Sequence, residues 1–160
     1  MSSGISIPMK PTTRPIDTSF RALTLEDLEQ TLKIESLCYE HPWSEAKFID
    51  TINMHNSLSS VVVVDGKVVG YSLSNICVDY GDILNICIHP EYRRLGIGTL
   101  LMDYQIKQFK VSNINSILLE VRVSNYAAIS YYEENRFIVI DKRKKYYNNG
   151  EDAIIMQQFI

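Results

Sequence analysis

Ile86-Cys87-Ile88-His89-Pro90-Glu91-Tyr92-Arg93-Arg94-Leu95-Gly96-Ile97-Gly98-Thr99 runs from strand-like residues through a proline-broken turn into a glycine pair and then into helical spacing. The strand is read over residues 83–88 and is stopped by His89-Pro90. Past the glycines, Ile97, Leu100, Leu101, Tyr104 and Val111 fall near one face, which predicts a helix of about three turns. That order outlines an anion site. The first-turn amides of a helix lack internal partners and carry roughly half a positive charge, and glycine lets a phosphate approach the backbone. Arg93 and Arg94 add full charges beside those amides. Gly-x-Gly alone serves equally as a helix start that needs unusual backbone angles. No third glycine and no Gly-Lys-Ser/Thr follow, so neither a dinucleotide fingerprint nor a nucleotide P-loop fits. The pyrophosphate of another cofactor remains.

Upstream, Thr18-Ser19-Phe20-Arg21-Ala22-Leu23 reads as a short strand, and Thr24 opens a helix that carries Leu25, Leu28, Leu32 and Leu37 and ends near Glu40. His41-Pro42-Trp43-Ser44 breaks it, and Ser44 restarts a helix to about Met54. Val61-Val62-Val63-Val64, the Asp65-Gly66 turn and the strand pattern at 67–73 are the signature of a hairpin. Downstream come a strand at 117–123, a helix capped near Asn125 and running through Tyr132, and a closing hairpin of 138–140 with 153–156. Antiparallel hairpins followed by strands joined through helices imply an α/β fold, a mixed, mostly antiparallel sheet with helices on both faces. Residues 1–16, rich in Ser, Thr and Pro, read as a flexible arm, leaving 17–160 as one domain.

Composition narrows the function. The net charge of −3 excludes nucleic-acid binding by bulk electrostatics, and Lys142-Arg143-Lys144-Lys145 reads as a solvated run. No membrane span or secretory signal pattern is present, so the expectation is a cytoplasmic protein. Cys38, Cys77 and Cys87 are odd in number and lack CxxC spacing, which predicts free, buried thiols and no metal site.

Arg93-Arg94-Leu95-Gly96-Ile97-Gly98 resembles the Arg/Gln-x-x-Gly-x-Gly/Ala motif of GNAT acetyltransferases, and the preceding 85–92 resembles the same family. The likeness extends to 119–125, to Ala128-Ile129-Ser130-Tyr131-Tyr132-Glu133, to Tyr146-Tyr147 and to His41-Pro42-Trp43-Ser44. Together these look like ribosomal-protein alanine N-acetyltransferases and archaeal N-terminal acetyltransferases. The resemblance implies a splayed cofactor strand and acetyl-CoA as cosubstrate. It places the pantetheine arm along Ile86, Cys87 and Ile88 and the pyrophosphate at Arg93, Arg94, Leu95, Gly96, Ile97, Gly98 and Thr99. Asn125 matches a coenzyme A contact and reads equally as a helix cap. One departure is Arg136, where the family favours glycine or asparagine after the helix, and it leaves that helix end open.

Acetyl transfer needs a neutral amine, a proton donor for the departing thiolate and hydrogen bonds to the oxyanion. By resemblance Tyr132 is the donor, also in contact with the cofactor, and Glu120 the general base, its flanking Leu118, Leu119 and Val121 suggesting a partly buried carboxylate with a raised pKa. The alternatives are, for Tyr132, a core aromatic near Ile129 and, for Glu120, a strand carboxylate on a solvated face or in a salt bridge to Arg122 or Arg136. Pro42, Trp43, Tyr146 and Tyr147 match loops that cover an acceptor peptide, and packing alone would also explain the tyrosines. An α-amine with a pKa of about 7.7 to 8.0 is roughly a tenth neutral at pH 7, and lysine a few hundred-fold less, so a protein N-terminus is the acceptor expected. A lysine or small-molecule amine is the alternative within the family, and a non-catalytic acyl-CoA-binding module the alternative outside it. Ribosome association is a further implication of the resemblance.

Overall fold

The β-branched run of 61–64 forms strand β2 (Ser60–Val64), and Asp65 and Gly66, at φ 49° and 82°, turn it into β3 (Lys67–Ile76). The computed structural model describes residues 17–160, so the arm expected at 1–16 lies outside the described residues. The other strands are β1 (Thr18–Ala22), β4 (Gly81–Ile88), β5 (Ser116–Arg122), β6 (Ile138–Arg143) and β7 (Ala153–Phe159). They make one seven-stranded sheet in the order β1-β2-β3-β4-β5-β7-β6, antiparallel at every seam except the parallel β4–β5 seam.

The helices are α1 (Leu28–Cys38), entered through a 3-10 turn (Leu25–Asp27), α2 (Glu45–Asn53), α3 (Ile97–Val111) and α4 (Tyr126–Glu134). The first helix stops two residues before the expected Glu40. At 15 residues, the full span from Ile97 to Val111, α3 is about four turns rather than three. Ser44 and Asn125 cap α2 and α4, accepting from Lys47 N and Ala128 N, each at 3.2 Å.

Strand alternation sorts the interior into two cores. Val62, Ile83, Leu101, Met102, Phe109 and Leu119 pack on the α3–α4 side, and Val61, Tyr71, Leu73, Ile34 and Phe48 on the α1–α2 side. The open helix end resolves at Arg136, which takes φ 73° while Arg136 N bonds Glu133 O and Phe137 N bonds Tyr132 O, each at 3.0 Å. That is the left-handed C-cap the family fills with glycine or asparagine, formed here by arginine at a conformational cost of about 1 kcal/mol.

Two features of the sheet create the site. The β4–β5 seam pairs only Gly81, Asp82 and Ile83 with Ile117, Leu118 and Leu119, so the strands part beyond Ile83. Opposite, the β3–β4 register shifts between Leu73 and Ser74, leaving Leu84 unmatched as a bulge. Phe109 anchors the closed end of the seam, since its ring occupies the space above Gly81, where a Cβ would stand 2.4 Å from it.

The cysteine expectation is corrected. Cys38, at the end of α1, and Cys87, on β4, form a disulfide across 49 residues, and Cys77 is free. Their pairing depends on α1 crossing β4, which no spacing in the sequence encodes.

Candidate active site

The parted strands leave a groove of about 450 Å³ between β4 and the start of α3. His89 N donates to Val69 O at 2.7 Å. In an antiparallel ladder, bonded and non-bonded pairs alternate, so Cys87 turns its backbone toward β3 while Ile86 and Ile88 turn theirs into the opening. Tyr39 Oη donates to Ile86 O at 2.7 Å and Arg93 Nε to Ile88 O at 3.0 Å. Cys87 meets the groove through its side chain, with Cys38.

At the other end, Gly96 is the N-cap of α3 at φ 80° and has no side chain to satisfy the first-turn amides. Those of Ile97, Gly98 and Thr99 are left for an anion beside Arg94. The side chain of Leu95 is exposed and that of Ile97 is buried in the core, and neither residue lines the groove. Gly98 meets a second demand, since Tyr131 Oη donates to Gly98 O at 2.7 Å and a Cβ there would lie 3.3 Å from the Tyr131 ring. Hydrogen-bonding backbone along one wall and an uncapped helix start with an arginine at the end suit a ligand with amides along its length and a diphosphate at one end. Coenzyme A thioesters have that chemistry.

A second cavity, of about 700 Å³, adjoins the groove along Tyr39, Asn125 and Ala128. Pro42, Trp43, Tyr146 and Tyr147 line it with Glu120 and Tyr132. The two tyrosine rings meet edge-on at 5.2 Å, Arg122 lies 3.9 Å over the Tyr147 ring, and Lys47 lies 4.0 Å over the Trp43 ring. Tyr132 is buried, and its hydroxyl donates to no described residue; burial holds its phenol well above its ordinary pKa and hence protonated.

Glu120 departs from expectation. It stands on the face of β5 opposite Leu119 and Val121, is 36% exposed in its side chain, accepts from Tyr146 Oη at 3.0 Å and pairs with Arg143 at 3.6 Å. The expected partner Arg122 bonds Glu151 instead, at 3.2 Å. The carboxylate that is raised is Asp82 on β4, pushed up to about 6, first by burial and then by the charge of Glu120.

Of the residues named from the sequence, all but Leu95 and Ile97 line one of the two adjoining cavities, with Tyr132 on the acceptor side and its neighbour Tyr131 in the groove. Sequence reasoning missed Tyr39, Asp82 and Glu35. Glu35, 1% exposed, accepts from Tyr71 Oη in a very short bond, from Asn85 Nδ2 at 2.8 Å and from Trp43 N at 2.9 Å, so it fixes the acceptor loop to the sheet. Leu28, Leu32 and Glu35 fall on one helical stripe, but a polar residue there gives no local sign of the buried partners Tyr71 and Asn85. Among the described residues no cluster of His, Cys, Asp or Glu could hold a metal ion, and no helix is long and apolar enough to cross a membrane.

Comparison with known proteins agrees with this geometry. Residues 28–137 match the Acetyltransferase (GNAT) family. An N-alpha-acetyltransferase of Saccharolobus solfataricus is 35% identical over 153 residues, covering 88% of this chain and 92% of the relative. The crystal structure of the ribosomal-protein-S18-alanine N-acetyltransferase from Escherichia coli superposes with a TM-score of 0.82 at 32% identity, covering 89% and 94%. Ard1 from Thermoplasma volcanium superposes with a TM-score of 0.82 at 25% identity, covering 89% and 97%.

Proposed function

The chain belongs to the GNAT acetyltransferase family, and from that premise we propose that it is an N-alpha-acetyltransferase, moving the acetyl group of acetyl-CoA to the α-amino group of a protein or peptide N-terminus. The observation that carries the reading is the junction of the two cavities. An anion-binding groove and an aromatic-walled cavity meet where β4 and β5 part, so donor and amine can be held together for direct attack.

Acetyl-CoA supplies the activated acyl thioester. Ile86 and Ile88 hold its amide-bearing arm, the amide of Ile88 polarises the acyl oxygen, and the first turn of α3 with Arg93 and Arg94 holds its diphosphate. Asn125 and the side chain of Cys87 complete the groove wall. Tyr132, neutral and without a competing acceptor, gives its proton to the departing sulfur. Glu120, on the acceptor side, draws in the ammonium and serves as proton acceptor, directly or through water. Trp43, Pro42, Tyr146 and Tyr147 form the walls against which the first residues of the acceptor lie. The protein acts in the cytoplasm, and the ribosomal-protein activity named for the Escherichia coli relative makes ribosomal-protein N-termini acceptors to be tested.

The test is thiol release from acetyl-CoA with peptides beginning Ser, Ala, Met-Leu or Met-Glu, against the same peptides N-terminally blocked but retaining a lysine. Activity lost on blocking supports the reading. Activity kept on blocked peptides would move the acceptor to the lysine side chain.

A further inference from the structure

We propose that the Cys38–Cys87 disulfide is a thiol–disulfide exchange site in the wall of the cofactor groove, and that its oxidation state sets how tightly the groove binds acetyl-CoA. This rests on the reading of that groove as the acetyl-CoA site.

Both cysteines line the groove, and each sulfur stands beside the carbonyl oxygen of Ile88, at 3.6 Å for Cys38 and 3.7 Å for Cys87. Arg93 meets them there. Its Nε donates to Ile88 O at 3.0 Å and its Nη2 to Cys38 Sγ at 3.1 Å, and it pairs with no carboxylate among the described residues. Cys38 is the accessible partner, half-buried where Cys87 is 7% exposed. Where small thiols are kept reduced, a disulfide that borders a ligand groove is open to exchange in a way that one sealed in a core is not. Cys77 is free and lies outside the groove.

Charge sets the direction of the effect. Among the described residues, the charged ones that line the groove are Arg93, Arg94 and Glu134, two positive and one negative. In the disulfide both sulfurs are neutral, and Arg93 is available to a diphosphate. Reduction leaves the Cys38 sulfur 3.1 Å from a guanidinium, the setting that favours a thiolate. The thiolate holds Arg93 and cancels the remaining positive charge, so a diphosphate binds more weakly. Loss of one charge-assisted contact corresponds to about a tenfold drop in affinity. By linkage, bound acetyl-CoA favours the disulfide by the same factor.

The step is a two-electron reduction by a dithiol. One thiolate of the dithiol attacks Cys38 Sγ, the S–S bond breaks, and its electron pair leaves on Cys87 Sγ, which takes a proton. The second thiolate then attacks the reductant's own sulfur in the mixed disulfide. That closes the reductant into a disulfide and releases Cys38 as the thiolate.

The test uses desulfo-coenzyme A, which carries the diphosphate and the amide-bearing arm but no sulfur to enter the exchange. Its Kd is measured by calorimetry on Cys77→Ser protein, oxidised and then reduced with dithiothreitol, with circular dichroism reporting the fold. Reduction should raise the Kd about tenfold. Two further variants in the same background separate charge from the lost cross-link. Cys87→Ala keeps the Cys38 sulfur beside Arg93, Cys38→Ala removes it, and neither can form the bridge. C87A should bind about tenfold more weakly than C38A, and neither should respond to dithiothreitol. Equal Kd values in the two oxidation states, or in the two variants, overturn the proposal. The rate at which dithiothreitol reduces the oxidised protein decides the matter even if the reduced forms do not fold. Desulfo-coenzyme A at ten times its Kd should slow that rate about tenfold, because it covers Cys38, and an unchanged rate overturns the proposal. Failure of the cofactor reading would appear separately, as oxidised protein that binds no desulfo-coenzyme A.

Discussion

The Tyr131 hydroxyl donates to the carbonyl of Gly98 at 2.7 Å, and its ring covers the position where any larger residue at 98 would place its Cβ. This contact docks α4 onto the first turn of α3, so the helix that carries Tyr132 and the helix whose first turn lines the groove are set by one pair. Gly98→Ala should push the ring away by a few tenths of an ångström and raise the KM for acetyl-CoA about three- to tenfold. Tyr131→Phe should lose about 1 kcal/mol of stability, one neutral hydrogen bond, read by chemical denaturation.

Tyr132→Phe tests the proton donor. Its hydroxyl has no partner among the described residues, so thermal stability should be unchanged while kcat falls by about 10²-fold or more, the usual range for a lost general acid. The KM for acetyl-CoA should move by less than about threefold. A wild-type kcat would return Tyr132 to a packing role.

Glu35→Gln tests the anchor of the acceptor loop. Both oxygens of Glu35 face donors, and an amide can satisfy only one side while turning its own N–H toward the other. A loss of about 2 to 4 kcal/mol is expected, together with a higher KM for peptide than for acetyl-CoA, because Trp43 is released. Equal effects on the two KM values would contradict the assignment to the acceptor side.

Alkylation before and after reduction counts the thiols. Unreduced, unfolded protein should take one label, at Cys77, and reduced protein three. Closing a 49-residue loop is worth about 4 kcal/mol in the chain-entropy account, so reduction should lower the melting temperature measurably. Three labels without reductant would remove the cross-link.

Most of the individual elements were legible because their signals are local. The Val61-to-Val64 run with Asp65-Gly66 marks a hairpin, and Gly96 and Gly98 mark a helix start. Tyr146, Tyr147 and Trp43 became candidates only through resemblance, since an aromatic in a loop has no local pattern that separates recognition from packing. What stayed hidden depends on distant chain. Glu35 reads as one polar residue among Glu29, Gln30 and Lys33, and its burial comes from Tyr71 and Asn85, 36 and 50 residues away. Asp82 lies just outside the strand read over residues 83–88, because nothing before folding shows that β4 begins at Gly81. Glu120 was expected partly buried from its apolar neighbours, yet alternation sends Leu119 and Val121 one way and Glu120 the other.

The most direct measurement is tandem mass spectrometry of the product formed from acetyl-CoA and a peptide with a free Ser or Ala N-terminus and an internal lysine. The structure predicts one added acetyl group, on the fragment that contains the α-nitrogen, and none on lysine. Acetyl groups on the lysine-containing fragments, with the α-nitrogen left free, would contradict the account.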